Sequence, residues 1–139
     1  MNEEDLVRFM KHPMTMVASD GGPRQLGEDM PHPRSYGNNA RVLGRYVREQ
    51  KVLSLEDAVR KMTSLPAERF QLKDRGTIRP GAWADLVIFD PDTVRDASAF
   101  SDPHHYAEGF SDVIVNGIPV IREGRLTDAR PGGPVRKGK

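Results

Sequence analysis

Met14-Thr15-Met16-Val17-Ala18-Ser19, closed by Asp20-Gly21-Gly22, is the stretch on which the reading of the fold turns. An almost wholly apolar run bounded by turn residues suits a strand buried on both faces, as in a parallel sheet, better than a half-exposed one. On the upstream side, Asn2 stands before Glu3, Glu4 and Asp5, and Leu6, Val7, Phe9 and Met10 follow. This pattern predicts a short helix over residues 1–11, with Asn2 as its cap and an acidic first turn.

On the downstream side, residues 22–39 are rich in Pro, Gly and polar side chains and read as a long loop. Residues 40–50 place Val42, Leu43, Tyr46 and Val47 on one stripe, the mark of an amphipathic helix. A second helix is specified by Ser54 as cap, Asp57 three residues on, and Leu55, Ala58, Val59 and Met62 at helical spacing. It is expected to stop near Leu65, because Pro66 disfavours helical geometry in the residue before it, and Pro66 can open a further short helix through Arg69 and Phe70.

From Arg75 the pattern becomes that of a β module. The turn pair Pro80-Gly81 leads into Ala84-Asp85-Leu86-Val87-Ile88-Phe89-Asp90, read as a strand. Later, Val113-Ile114-Val115 and Ile118-Pro119-Val120-Ile121 flank Asn116-Gly117, a strong hairpin signal. Pro119 has no N–H to give a ladder, so its strand is expected at an edge or with that position turned outward. Glu123-Gly124-Arg125 marks another turn. The expected organisation is a mixed segment over residues 1–75, a β-rich module over 76–127 and a loose tail over 128–139, with no internal repeat.

Composition narrows the function classes. With 139 residues the chain is too short for a complete (β/α)₈ barrel, which needs roughly 250. The 21 Lys+Arg and 20 Asp+Glu are interleaved and leave a net charge of +1, so no broad footprint for nucleic acid or an anionic membrane is evident. No apolar run approaches a membrane span, and the acidic amino terminus does not read as a signal peptide. The absence of cysteine rules out a disulfide framework and a thiolate metal site within the chain, and is compatible with a cytoplasmic home.

Candidate chemistry centres on Asp20 and Arg34. A carboxylate directly after a buried strand sits where barrel enzymes place catalytic groups, although an ordinary Asp-Gly turn explains the same pattern. Arg34, in the run His32-Pro33-Arg34-Ser35-Tyr36, has a guanidinium that matches a carboxylate bidentately, although a solvated surface arginine is the commoner case. The four histidines, His12, His32, His104 and His105, have no His-x-His or Glu-x-x-His spacing, so a closed metal site made by this chain alone is not expected. Asp85, Asp90 and Asp92 read as polar ends of a strand. Neither a Gly-x-Ser-x-Gly elbow nor a phosphate loop occurs, and the 6% of aromatics are scattered.

Taken together, MTMVASDG at residues 14–21, HPRSYG at 32–37 and RVLGRYVR at 41–48 resemble the carboxy-terminal part of the N-acyl-D-amino-acid deacylases, or D-aminoacylases. LEDAVRKMTSLPA at 55–67 and GAWADLVIFDP at 81–91 are similar to a helix and returning strand of the wider amidohydrolase superfamily. The resemblance implies an α/β fold: the last strand and helices of a metal-dependent hydrolase (β/α)₈ barrel, plus part of a small composite β-sandwich domain. It further implies that Asp20 ends the eighth barrel strand and moves the proton during hydrolysis, and that Arg34 binds the α-carboxylate of an N-acyl-D-amino acid. Zn²⁺ is implied as cofactor, with Asp20 able to serve at the metal only beside ligands from upstream chain, so that the isolated chain is expected to be inactive. The possible partner is the missing amino-terminal barrel half. Two other readings stay open: a dihydroorotase- or hydantoinase-like cyclic amidohydrolase, and a non-catalytic docking module whose apolar stripes would be sticky alone.

Overall fold

The computed structural model describes residues 2–23 and 25–137; Met1 of the expected first helix and Gly138 and Lys139 of the expected tail lie outside them. Helix α1 spans Glu3–Lys11, and the side chain of Asn2 accepts from the Asp5 N–H at 2.8 Å, so the cap and acidic first turn act as read. Such a cap satisfies a donor that has no partner inside the helix.

The run after α1 departs from expectation. Residues 14–19 form no strand but irregular backbone, with Met14 73% exposed. The reason is physical: a strand needs a neighbouring backbone to receive its hydrogen bonds, and the backbone beside this run is a helix end. Val17 N–H donates to the Lys61 carbonyl at 3.2 Å. The Lys61 ammonium, only 1% exposed, donates to the carbonyls of His12 at 2.6 Å and Thr15 at 3.2 Å.

The helix expected over residues 40–50 begins earlier. Helix α2 spans Arg34–Arg41, opened by Pro33, and passes directly into a π-helical segment, Val42–Glu49, whose end is marked by Gln50 N–H donating to the Arg45 carbonyl at 2.8 Å. Pro33 gives up no bond there, since the first-turn donors of a helix have no internal acceptor. The expected stripe is buried: Val42, Leu43 and Tyr46 lie in the core with Val47 packed against it. Burial and the Glu3 carboxylate, which accepts from the Tyr46 hydroxyl at 3.1 Å, push the Tyr46 pKa up from its ordinary value.

Helix α3 spans Leu55–Met62, and Ser54 accepts from the Asp57 N–H at 3.1 Å as its cap. It ends before Leu65, at Thr63 (φ −130°, ψ −85°), and α4 follows over Ser64–Arg69. Pro66 falls in the first turn of α4, where its missing N–H costs nothing. Ala40, Val42, Leu43, Leu53, Ala58 and Val94 form the core, with Val17, Phe89, Ala107 and Phe110 among the side chains packed against it.

The β module is an antiparallel meander of β1 (Leu86–Phe89), β2 (Phe110–Val115), β3 (Ile118–Arg122) and β4 (Arg125–Leu126), in that spatial order. Strand β1 is shorter than the run suggested, and the aspartates at its two ends use their side chains in turns: Asp85 accepts from Asn116 N–H at 2.8 Å, and Asp90 accepts from Asp92 N–H at 2.9 Å. The β2–β3 turn has Asn116 at φ 50° and Gly117 at φ 82°, the two positive values a tight hairpin of matching twist requires. Pro119 does not lie on an outer strand: β3 runs between β2 and β4, and Pro119 opposes Ile114 beside a register shift, where a ladder donor is dispensable. The Asn116 amide also donates to the Pro131 carbonyl at 2.8 Å, which ties the chain beyond β4 to this turn. No helix among the described residues is long and apolar enough to cross a membrane.

Candidate functional site

Asp20 and Arg34, fourteen positions apart in sequence, meet in space: an Arg34 amino group lies 2.9 Å from an Asp20 carboxylate oxygen. Three local features bring them together. Ser19 Oγ accepts from Gly21 N–H at 3.2 Å, and Asp20 takes φ 50°, turning the chain sharply after the apolar run. Gly21 then packs against the start of α2 so closely that a Cβ would sit 2.9 Å from Ser35 Cα. Arg34 itself heads α2, its N–H donating to His32 Nδ1 at 3.1 Å.

Helix α2 is held in turn from the connection between β1 and β2. Gly37 leaves room for the Asp96 carboxylate, whose oxygen would lie 1.8 Å from a Cβ at that position. Asp96, 8% exposed, lies 3.6 Å from the Arg41 guanidinium and accepts from Ser98 N–H at 2.9 Å. The helix that carries Arg34 is thus fixed on a buried charge, while the Asp20–Arg34 pair faces solvent at 84% and 43% side-chain exposure.

That exposure decides what the pair can do. An exposed ion pair is worth about 1 kcal/mol or less, so it orients the two groups without locking them. A guanidinium has five N–H donors, so Arg34 can keep Asp20 and still offer a planar fork to a second carboxylate. Among the described residues no three of His, Cys, Asp or Glu come together as a cation site. One exposed carboxylate is not a coordination set, so these residues do not hold a metal by themselves.

In the sequence His104 and His105 stand as candidate metal ligands, and Asp102-Pro103-His104 is one of the runs that resemble the deacylases. The two have different partners: His105 Nε2 lies 2.7 Å from the Asp102 carboxylate, and His104 meets the loop between Asp20 and Arg34. Nothing in their spacing revealed the second contact, which joins residues 77 positions apart.

An apolar run turning sharply at an aspartate, facing an arginine at the head of the next helix, lies on a core of short helices beside an antiparallel sheet. The chain belongs to the Amidohydrolase family, whose profile matches residues 7–121. It is 46% identical over 137 residues to the N-acyl-D-glutamate deacylase of Alcaligenes xylosoxydans xylosoxydans, a match covering 99% of this chain and 27% of the relative. A crystal structure of D-aminoacylase superposes with a TM-score of 0.86 at 43% identity, over 93% of this chain and 27% of that one. The N-acyl-D-glutamate deacylase of Bordetella bronchiseptica, solved with zinc and a phosphonate mimic of the tetrahedral intermediate, gives 0.80 at 44% identity, over 100% and 27%. The chain therefore spans 27% of the length of these relatives, and its fold is that of the corresponding part of the D-aminoacylase amidohydrolases.

Proposed function

We propose that the chain is the carboxy-terminal part of a zinc-dependent deacylase that hydrolyses the amide bond of N-acyl-D-amino acids. Residues 1–75 would form the end of the (β/α)₈ barrel, 76–127 part of a composite β-sandwich, and 128–139 a tail. The run over residues 14–19 would take its place as a strand when neighbouring strands lie alongside it. The observation that carries this reading is the likeness to N-acyl-D-glutamate deacylase along nearly the whole chain, which includes both Asp20 and Arg34.

In this reading Asp20 is the general base and then the general acid. Water adds to the amide carbonyl carbon as its proton passes to the Asp20 carboxylate. The same proton goes to the amine nitrogen as the C–N bond breaks, releasing a carboxylate and a free D-amino acid. A carboxylate within hydrogen-bond reach of both oxygen and nitrogen is suited to this transfer. Arg34 holds the α-carboxylate of the amino-acid moiety through its free N–H groups. The zinc of the complete enzyme would take its ligands from polypeptide outside these residues.

The test is a chimera in which this chain replaces the matching part of the Alcaligenes N-acyl-D-glutamate deacylase, assayed for release of free D-amino acid. Asp20→Asn should lower kcat by about 10²–10⁴-fold, the range for loss of a positioned acid/base group. Arg34→Glu should abolish the preference for substrates with a free α-carboxylate. An active chimera that tolerates Asp20→Asn would overturn the assignment.

A further inference from the structure

The loop between Asp20 and Arg34 returns on itself, as the ion pair and the Gly21–Ser35 contact close its two ends. The shape of such a closed surface loop is set by what packs inside it, and a distant side chain, His104, reaches its middle. His104 Nδ1 accepts from Gly27 N–H at 3.1 Å, while Nε2 lies 2.9 Å from the Asp29 carbonyl. An acceptor at one ring nitrogen and a donor at the other is what a neutral imidazole carrying its proton on Nε2 offers.

Tyr36, in the first turn of α2, completes the arrangement. Its hydroxyl lies 3.0 Å from His104 Nδ1 and 3.3 Å from the Gln25 carbonyl. Nδ1 has one lone pair in the ring plane, and Gly27 N–H needs it, so the tyrosine proton goes to Gln25. The rings of Tyr36 and His104 also meet edge to face at 5.8 Å. His104 therefore touches the loop on both sides of its bend and the helix that bears Arg34.

The segment that carries His104 is itself braced. Pro103 is fully buried, His105 Nε2 contacts the Asp102 carboxylate at 2.7 Å, and Ser98 Oγ donates to the His105 carbonyl at 2.8 Å. A side chain on a fixed segment can hold a loop; one on a mobile segment cannot.

We infer that His104 is a positioning residue for the Asp20–Arg34 site: a neutral imidazole clamp that fixes the joining loop and, through it, the start of α2. The significance for catalysis rests on the deacylase reading, but the clamp is tested without turnover. Amide hydrogen exchange of the 139-residue chain is followed by NMR for the wild type, His104→Ala and His104→Asn. Asparagine keeps an acceptor near the Nδ1 position and loses the donor to Asp29.

His104→Ala should speed exchange at Gly27 and at Arg34, each by about two- to tenfold, the range for one net hydrogen bond. The amides of β2 and β3 should stay as in the wild type, and His104→Asn should restore protection at Gly27. Acceleration at Gly27 alone would overturn the positioning role, because the loop would then be held without consequence for Arg34. Uniform acceleration through β2 and β3, or no change, would overturn it as well. If His104→Ala does not fold, Tyr36→Phe removes the hydroxyl bridge alone and should give a smaller change confined to the same amides. An inactive chimera with an intact exchange pattern would count against the deacylase reading and leave the clamp standing.

Discussion

Residues 14–19 and strand β1 (Leu86–Phe89) are both apolar runs followed at once by an aspartate, and they end up differently. Strand β1 lies against β2, with Leu86 opposite Ile114 and Val87 opposite Val113, and just beyond it Asp90 N–H donates to the Gly109 carbonyl at 2.9 Å. The earlier run has a helix end beside it and remains irregular. Apolar composition marks a candidate strand; a second backbone alongside makes it one. The two aspartates follow suit. Asp90 folds back on its own turn, accepting from Asp92 N–H and the Thr93 hydroxyl at 2.9 and 3.0 Å, whereas Asp20 projects to a side chain on another element.

The strongest way to break the contrast is to take the partner away from β1. Gly109 enters β2 at φ 86°, and a Cβ there would lie 2.5 Å from Val94 Cα. The atoms met belong to the Val94 backbone, and Val94 is fully buried in the core, so the clash cannot be relieved by a side-chain rotation. Gly109→Ala should cost about 3 kcal/mol, read as a fall in the urea midpoint. Exchange at the amides of Leu86–Phe89 should rise towards that of residues 14–19. A stability loss without that rise would separate β1 from its partner and defeat the comparison.

Lys61 probes the other run. Lys61→Met keeps the stem in the core but leaves the His12 and Thr15 carbonyls without their ammonium donor. The expected loss is about 2 kcal/mol, with faster exchange at Val17, whose N–H rests on the Lys61 carbonyl. A gain in stability would mean that keeping an ammonium in a site 1% exposed outweighs what its bonds return, and that the run is held without it.

The same distinction explains what the sequence disclosed. Caps, turns and stripes act over a few residues, and Asn2, Ser54, Asn116-Gly117 and Val42/Leu43/Tyr46 perform as read. Wide helical winding over Val42–Glu49 and the missing strand at 14–19 depend on what lies alongside, which no local pattern encodes. Asp20 and Arg34 were legible as two ends of one loop that could bring them within reach, and the packing of Gly21 on α2 supplies the 2.9 Å geometry. His104 was legible as part of the deacylase-like run Asp102-Pro103-His104, but its contact with the loop was not.

The smallest effect sharpens the contrast most cleanly. Gly117 sits at φ 82° with no atom beyond its chain neighbours within 4 Å of where a Cβ would be, so Gly117→Ala acts through backbone preference. The left-handed conformation costs a residue with a side chain about 1 kcal/mol. Because this turn sets the register of β2 on β3, the loss should appear as faster exchange at Val115 and Ile118, diminishing along the ladder towards Arg122. Residues 14–19 share no ladder with the hairpin, and their exchange should not move. If they respond as strongly as the hairpin, the chain opens as one unit, and the partnered and unpartnered runs differ in geometry but not in stability.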